Sequence, residues 1–345
     1  MSVTIRDVAK AAEVSPSTVS KVINKSPLIS QKTTDHVNSI IEQMQYVPNT
    51  RARNFAKQET KSVVFLTLFE RHMALLDPYI FEILSGAEQV VKRSGFYINY
   101  ISASSIDEAY EIVKKIVVEK SSDGIIIHGY AVSPKITTLL MEKRFPHILI
   151  GNPAFESSSC WVDINNVIAG EIAARYLFDC GVKKLAFIGG KKADTISQMR
   201  LQGIKKFAVN NQLPLWHYNV NDEDLITEAG YASAKEALSG KEPPDGIICE
   251  NSLFAGSVVK AIHEAKLSIP NDISLICFDN YPFSFFVDPL PTVVDIDVFA
   301  LGSEAARYLL KKIKNPNFNI QGYISLPTII ERDSTKKKTH PSRQE

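Results

Sequence analysis

One predicted helix near the N-terminus carries four small polar or basic side chains on a single face. The helix lies in the segment VSPSTVSKVIN, residues 14–24, and its apolar stripe holds only Val and Ile. The opposite face, at positions i, i+3, i+4 and i+7, is slim, polar and free of acids, and it consists of Ser17, Ser20, Lys21 and Asn24. Such groups bind phosphates and base edges in the major groove. The pattern favours a helix that reads DNA; the alternative is a small helical bundle with an ordinary solvated face.

Three short helices are predicted to position this face. Thr4 and Asp7 nearly match a capping box at the start of the first helix. Ser15 can cap the second helix, with Pro16 at its first position, where the missing amide hydrogen costs nothing. Ser30 opens the third helix, which keeps its apolar residues on one face and ends before Pro48. Two helices joined by a tight turn and followed by a third favour a helix-turn-helix unit over the plain bundle.

The distribution of charge agrees with an anionic partner for this part of the chain. The first sixty residues hold eight Lys and Arg against five Asp and Glu, a net +3, whereas the whole chain of 345 residues carries only +1. The composition, 45% hydrophobic and 22% charged, is that of a globular protein of two or three domains. No secretory leader or apolar run of membrane-spanning length is evident, so we expect a cytoplasmic chain without a membrane partner.

From residue 61 onward, apolar runs alternate with amphipathic helical patterns. Runs such as SVVFLTLF, DGIIIHG and ISLICFDN are apolar throughout rather than alternating. Continuous apolar strands separated by helices predict parallel sheets that are covered on both faces. The number of such units favours two similar halves over one large domain. The fold class is therefore α/β, with a helical N-terminal unit and a polar boundary, KQETKS, before two doubly wound halves.

Several classes of chemistry are not indicated by the sequence. There is no nucleophile elbow, zinc-protease motif or phosphate-binding Gly-rich loop. The seven His lack metal-ligand spacing and the four Cys form no CxxC pair, which fits reduced thiols better than a zinc site or a disulfide framework. We expect no enzyme activity, no metal and no cofactor.

Residues 4–24 resemble the DNA-binding headpiece of the lactose/galactose repressor family of bacterial transcription regulators. The family pattern T-I-x-D-V-A-x-x-A-x-V-S-x-x-T-V-S-x-V-(I/L)-N is met throughout this stretch. The resemblance implies a headpiece in which Pro16, Ser17 and Lys21 read bases. It further implies phosphate and positioning contacts around them, and the complete predicted DNA-binding set is Thr4, Ser15, Pro16, Ser17, Thr18, Ser20, Lys21, Asn24, Ser30, Thr33, Asn49, Arg51, Arg53 and Phe55.

The segment YVPNTRARNFAKQ is similar to the hinge of that family. In relatives the hinge becomes a helix on the operator and wedges a Leu pair into the minor groove, an insertion that unstacks a base step. Here Phe55 stands at the wedge position, flanked by Arg51 and Arg53, and the hinge helix is expected at about 49–57. The alternative is that Phe55 packs on the headpiece.

The larger part of the chain resembles the family's effector domain, which has the fold of periplasmic sugar-binding proteins. The resemblance implies a ligand in the cleft between the halves, at the carboxyl ends of the strands. Residues that match the family's ligand motifs are Asp77, Tyr79, Arg200, Asn251 and Asp279. Each has a plainer alternative: Asp279 could cap a turn, Arg200 could pair with an acid inside one half, and Tyr79 could be core. The phrases IGNP and VVDID resemble those of maltose- and glucoside-responsive members, which implies a sugar or glycoside.

These patterns together predict a transcription regulator, a repressor that binds a pseudo-palindromic operator as a homodimer under control by a small molecule. The expected domains are residues 1–57 and an effector domain of residues 61–333, followed by a flexible tail of residues 334–345. The expected N-subdomain comprises about 61–161 and 292–322, and the expected C-subdomain comprises about 162–291 and 323–333. The tail has no leucine heptads, so we expect a dimer rather than a tetramer. The rival interpretations are a solute-binding receptor without DNA function and, third, a sugar-processing enzyme.

Overall fold

The computed structural model of the chain describes residues 3–46, 59–68, 78–153, 155–189, 194–219, 226–280, 282–318, 320 and 322–337. Its backbone divides into two compact units, Met1–Lys61 and Ser62–Glu345. Among the described residues, no helix combines the length and the apolar character needed to cross a membrane.

The described residues of the first unit form three helices that begin where the sequence predicted. They are α1 (Ile5–Ala11), α2 (Pro16–Ile23) and α3 (Gln31–Gln43). The capping box of α1 is present, since the Thr4 amide donates to the Asp7 carboxylate at 2.9 Å. The Ser15 hydroxyl accepts from the Thr18 amide at 3.1 Å and so caps α2. Apolar side chains from all three helices meet in one core, in which Val8, Val19 and Val37 are fully buried.

The second unit contains two six-stranded sheets, one in each half. The strands of the first sheet, in spatial order, are β11 (Gly322–Ser325), β5 (Trp161–Ile164), β4 (His147–Ile150), β3 (Gly124–His128), β1 (Ser62–Leu68) and β2 (Tyr97–Ala103). Those of the second are β12 (Thr328–Ile330), β10 (Thr292–Asp295), β9 (Ser274–Phe278), β8 (Gly246–Cys249), β6 (Leu185–Ile188) and β7 (Leu215–Tyr218). All strand pairs are parallel except the β10–β12 pair. The two doubly wound halves predicted from the apolar runs are confirmed.

Helices cover the sheets, and buried strands explain why the apolar runs are continuous. Every residue of β3 and β9 is buried, as expected for central parallel strands. The helices that pack against the first half are α4 (Pro78–Arg93), α5 (Ile106–Glu119), α6 (Pro134–Glu142) and α11 (Val298–Lys314). Those of the second half are α7 (Asn166–Asp179), α8 (Thr195–Asn210), α9 (Ile226–Ser239) and α10 (Ser252–Glu264).

The chain passes between the halves three times, each time a few residues later than the sequence patterns placed it. Residues 161–164 stay in the first sheet as β5, residues 292–295 stay in the second as β10, and residues 322–325 return to the first as β11. The physical reason is that each strand forms backbone pairs up to its last residue before it leaves the sheet. Sequence patterns place such ends only approximately.

The prediction of a flexible tail from residue 334 onward is wrong for its first two residues. Ser334 and Thr335 are buried. The Ser334 hydroxyl accepts from the Thr292 amide at 2.8 Å, and the Ser334 carbonyl accepts from the Leu275 amide at 2.8 Å. The segment after β12 therefore packs along the second sheet, because it satisfies backbone groups there that would otherwise be buried without partners.

Candidate functional site

The outward face of α2 is exposed, as the spacing of its polar residues predicted. Pro16, Ser17 and Lys21 are exposed, while Val19 and Val22 on the opposite side are buried. The helix contains no acid. In the described part of the chain Lys21 forms no ion pair. The face therefore offers hydroxyl groups and one ammonium group to an anionic surface, without a carboxylate that would repel phosphates.

Some of the predicted DNA contacts already have roles within the headpiece. The Asn24 side-chain amide donates to the Ser20 carbonyl at 2.8 Å. Ser30 caps α3, accepting from the Thr33 amide at 3.2 Å. The Ser15 and Ser17 hydroxyls lie 2.7 Å apart at the start of α2. These bonds fix helix ends, so contacts of these side chains with DNA stay predictions.

Five predicted site residues lie outside the described residues. Four belong to the expected hinge, namely Asn49, Arg51, Arg53 and Phe55. The fifth is Asp77, just before α4. Their assignments stay predictions from the sequence alone.

In the second unit, a cleft opens between the halves at the carboxyl ends of the strands. It holds about 870 Å³ of space free of protein atoms, including its open mouth. Polar side chains enter it from both halves: Tyr79, His128, Tyr130, Asp163, Asn166 and Asp194. Carboxyl ends of parallel strands are where ligands of doubly wound folds bind. The cleft is the candidate small-molecule site.

Two of the residues predicted from the sequence, Arg200 and Asp279, form a buried ion pair. The Nη2 atom of Arg200 lies 3.7 Å from Oδ1 of Asp279, and both side chains are buried. The Arg200 guanidinium also stacks on the ring of Phe278, with 4.3 Å between the guanidinium carbon and the ring centroid. Its remaining nitrogens donate to the Glu250 carbonyl at 3.0 Å and to Oδ1 of Asn166 at 3.3 Å.

This geometry realises the plainer alternative for Arg200, since its acid partner belongs to the same half. Neither Arg200 nor Asp279 is among the described residues that line the open cleft. Arg200 instead donates a hydrogen bond to the side chain of Asn166, which does line the cleft. Direct contact of Arg200 or Asp279 with a ligand stays a prediction.

The other two described predictions, Asn251 and Tyr79, have separate roles. Asn251 caps α10, where its Oδ1 accepts from the Phe254 amide at 3.0 Å, and it does not line the open cleft. Tyr79 packs against the core of the first half and also lines the cleft. Tyr79 thus combines the two interpretations, core and site, that the sequence left open.

A carboxylate that the sequence did not single out projects from the first half. Asp163 accepts from the Asn152 amide at 2.9 Å and from the Ile164 amide at 2.7 Å. Burial raises the pKa of Asp163, although the two amide hydrogen bonds act in the opposite direction. It is a fixed acceptor, suited to hydroxyl groups of a ligand.

One hydrogen bond crosses the cleft. The Tyr130 hydroxyl, which follows β3 in the first half, donates to Oδ1 of Asp194 at 3.4 Å. Asp194 is the N-cap of α8 in the second half, accepting from the Ile196 amide at 2.9 Å. Because α8 also carries Arg200, this bond joins the first half to the helix that holds the buried ion pair.

Sequence reasoning missed His128, Asp163, Asn166 and Asp194. His128 ends β3, Asp163 and Asn166 lie at the end of β5 and just after it, and Asp194 caps the helix that follows β6. Ligands of doubly wound folds bind at such carboxyl ends of strands. The sequence alone does not show which of several polar residues at a strand end turns inward, since buried parallel strands have no alternating pattern.

The ion pair depends on a close contact between α7 and α8. A Cβ atom on Gly170 would lie 1.9 Å from the Arg200 carbonyl oxygen, and one on Gly203 would lie 1.9 Å from that of Val167. Two helices can approach to backbone contact only where such residues face each other.

We therefore expect Gly170→Ala to push α8 away and lower the free energy of unfolding by about 1–3 kcal/mol, the usual cost of overpacking. Urea denaturation of the full chain would measure it. Gly240→Ala is the control, because the nearest atom to a Cβ there is 3.5 Å away. Equal stability of the two variants would contradict the close-contact argument.

Comparisons with known proteins agree with both units. A model of the bacterial regulatory proteins of the lacI family matches residues 4–49, and one of the periplasmic binding protein-like domain matches residues 174–335. The HTH-type transcriptional repressor PurR of Histophilus somni is 28% identical over 335 residues, covering 96% of this chain and 99% of that protein. The HTH-type transcriptional regulator MalR of Staphylococcus xylosus is 28% identical over 345 residues, with 96% and 98% covered.

Solved structures share the fold of the whole chain. The lac repressor dimer bound to operator and an anti-inducer superposes with a TM-score of 0.82 at 20% identity, over 98% of this chain and 100% of that one. The complex of the transcriptional regulator CelR with cellobiose gives a TM-score of 0.69 at 22% identity, over 96% and 99%. Residues 4–49 thus match the DNA-binding domain of the lacI family of bacterial regulatory proteins, and over 96% of its length the chain is similar to HTH-type regulators of transcription.

Proposed function

We propose that the chain is a repressor that binds a pseudo-palindromic operator as a homodimer and responds to a sugar or glycoside in the cleft. One observation carries the DNA part: the exposed face of α2 is polar, basic and free of acids, on a helix-turn-helix unit. A dimer with two-fold symmetry would place two such helices on half-sites related by the same symmetry. A regulator that binds chromosomal DNA would act in the cytoplasm.

The polar groups of the cleft support an uncharged, hydroxyl-rich effector. Tyr79, Tyr130 and Asp163 offer hydroxyl and carboxylate groups, and Phe155 offers an aromatic face. The positive charge of Arg200 is paired with Asp279. Related regulators point the same way: one is solved with cellobiose, one from Enterococcus faecium is solved with ribose, and one from Staphylococcus is described as a probable maltose operon transcriptional repressor.

In this proposal the cleft binds and does not catalyse. Ligand binding would alter the angle between the halves, and the hinge would carry that change to the headpiece. The cross-cleft bond from Tyr130 to Asp194 is one contact that such a change would make or break.

The test is operator binding by the full chain, measured by fluorescence anisotropy on DNA from its own promoter region. Maltose, cellobiose, ribose and their phosphates are added in turn. Release by one sugar would establish an inducer and tighter binding a co-repressor. Binding that ignores every sugar would overturn the effector assignment, and failure to bind any DNA would favour the solute-binding receptor.

The hinge gives a separate prediction. We expect Phe55→Ala to weaken operator binding about tenfold or more, because opening a base step costs a few kcal/mol and without the apolar wedge nothing fills the opened step or keeps the DNA bent. Sugar binding by the same variant, measured by calorimetry, should be unchanged. Phe55→Leu restores an apolar wedge and should retain operator affinity. If Phe55→Ala bound the operator as tightly as the wild type, the wedge would be excluded and packing on the headpiece favoured.

A further inference from the structure

We propose that His128 is an effector-contacting residue that determines specificity by hydrogen bonding to a hydroxyl group of the ligand. This inference rests on the proposed function of the cleft as a sugar site. It adds a residue that none of the sequence motifs indicated.

His128 is a polar residue at a buried position. It is the last residue of β3, it is 3% exposed, and it lines the cleft. The preceding residues of the strand, Ile125, Ile126 and Ile127, are all fully buried apolar side chains. The imidazole thus ends an apolar strand at the floor of the site.

Two aromatic rings frame the imidazole. Tyr79 and Tyr130 meet it edge-on, with centroid distances of 5.9 Å and 5.1 Å. Both tyrosines line the cleft. Their rings orient the imidazole by packing, but the described residues provide its Nδ1 atom with no hydrogen-bond partner. A buried polar atom without a partner is costly, so the site is completed by something that is not part of the chain.

The chemistry of His128 favours a hydroxyl group over an anion. Burial lowers the pKa of His128 to about 4, so the ring is neutral at physiological pH. A neutral imidazole has one donor and one acceptor. A sugar hydroxyl, which both donates and accepts, can pair with either ring nitrogen. The neutral imidazole offers no positive charge to stabilise a phosphate.

A second buried histidine provides an internal comparison. His147, at the start of the neighbouring strand β4, is also buried, and burial likewise lowers its pKa to about 4. Both of its ring nitrogens are occupied, Nδ1 with the Phe145 carbonyl at 2.7 Å and Nε2 with the Ser159 hydroxyl at 2.9 Å. His147 is a satisfied structural histidine, and His128 is not.

The first test compares ligand affinities. Calorimetry with maltose, cellobiose and ribose is performed on the wild type, on His128→Leu and on His128→Asn. For the sugar that binds the wild type, we expect His128→Leu to lose about tenfold in affinity, the equivalent of one hydrogen bond. His128→Asn, which can still donate and accept, should retain most of it. Equal affinity of His128→Leu and the wild type would overturn the proposal.

The second test needs no ligand. In the absence of sugar, His128→Leu should raise the thermal midpoint by about 2 °C or more, because it removes an unsatisfied buried imidazole. His147→Leu should lower the midpoint, because it breaks two hydrogen bonds and leaves Ser159 unpaired. A lower midpoint for His128→Leu would show a structural histidine and overturn the proposal.

The two tests separate the failure of the inference from that of the proposed function. If no sugar binds the wild type, the sugar assignment fails and the proposed hydroxyl contact of His128 fails with it; a gain in stability of His128→Leu would then show only that the imidazole is unsatisfied. If a sugar binds equally to all three proteins, the sugar assignment stands and the role of His128 is overturned.

Discussion

Asp279→Asn is expected to lower the free energy of unfolding by about 3–5 kcal/mol, the cost of leaving one member of a buried ion pair without the other. Asn has nearly the shape of Asp, so the loss reflects charge rather than volume. It also tolerates the left-handed backbone at this position, where φ is +74°. Asp279→Ala would add backbone strain to the same loss.

The size of the effect follows from the environment of Arg200. The side chains of Arg200 and Asp279 are only 5% and 12% exposed, so water screens little of the charge. The remaining partners of the guanidinium, the Glu250 carbonyl, the Asn166 amide oxygen and the Phe278 ring, are neutral groups. None of them replaces a carboxylate. Exposed pairs behave differently, since their median contribution is about 0–1 kcal/mol.

Urea denaturation of the wild type and three variants measures the prediction. Asp279→Asn should unfold at a much lower urea concentration than the wild type. The double variant Asp279→Asn/Arg200→Met removes both members of the pair and leaves neither charge without its partner, so it should recover much of the loss, as apolar replacement of buried pairs commonly does. Glu88→Gln, which breaks the exposed pair with Lys92, is the control and should change stability little. If Asp279→Asn were as stable as this control, the buried-pair argument would be contradicted.

The same variants test whether the pair contributes to the effector response. Asp279→Asn and the double variant should both still bind operator DNA at temperatures where they are folded, since the headpiece is a separate unit. Both should lose the response to sugar if the pair holds Asn166 and α8 in place for the ligand. Retained sugar response in the double variant would make the pair purely structural.

The headpiece could be predicted nearly in full because its determinants are local. The Thr4–Asp7 capping box and the Ser15 cap lie within three residues of their partners, and the structure confirms both. A cap needs only a short polar side chain before a helical pattern, and both are visible in the sequence.

The effector site could be predicted only in part because its contacts join distant segments. The sequence motifs marked Arg200 and Asp279 but could not show that they bind each other. That contact requires α8 to lie against the second sheet, where Asp279 follows β9, and the Gly170 contact fixes its depth. His128 illustrates the same limit, since its burial and its missing hydrogen-bond partner depend on how Tyr79 and Tyr130 pack around it.

The second large effect is expected on DNA binding, from Lys21→Glu. A carboxylate would then stand on a face of α2 that contains no acid, facing the negatively charged operator. Lys21→Ala should weaken operator binding by about 1–3 kcal/mol if Lys21 contacts a base. Lys21→Glu should weaken it further, because repulsion is added to the lost contact. Lys21 is exposed, so the fold of the headpiece and its circular dichroism spectrum should not change.

The measurement also distinguishes a base contact from a phosphate contact. Anisotropy titrations of Lys21→Ala on the operator and on unrelated DNA, at several salt concentrations, separate the two roles. A phosphate contact predicts equal weakening on both DNAs and a salt dependence reduced by about one charge, whereas a base contact predicts loss mainly on the operator. Lys115→Glu, the same charge change at an exposed position of α5, is the control and should leave both affinities unchanged. If Lys21→Glu matched this control, α2 could not be the recognition helix, and the polar face would be an ordinary solvated surface.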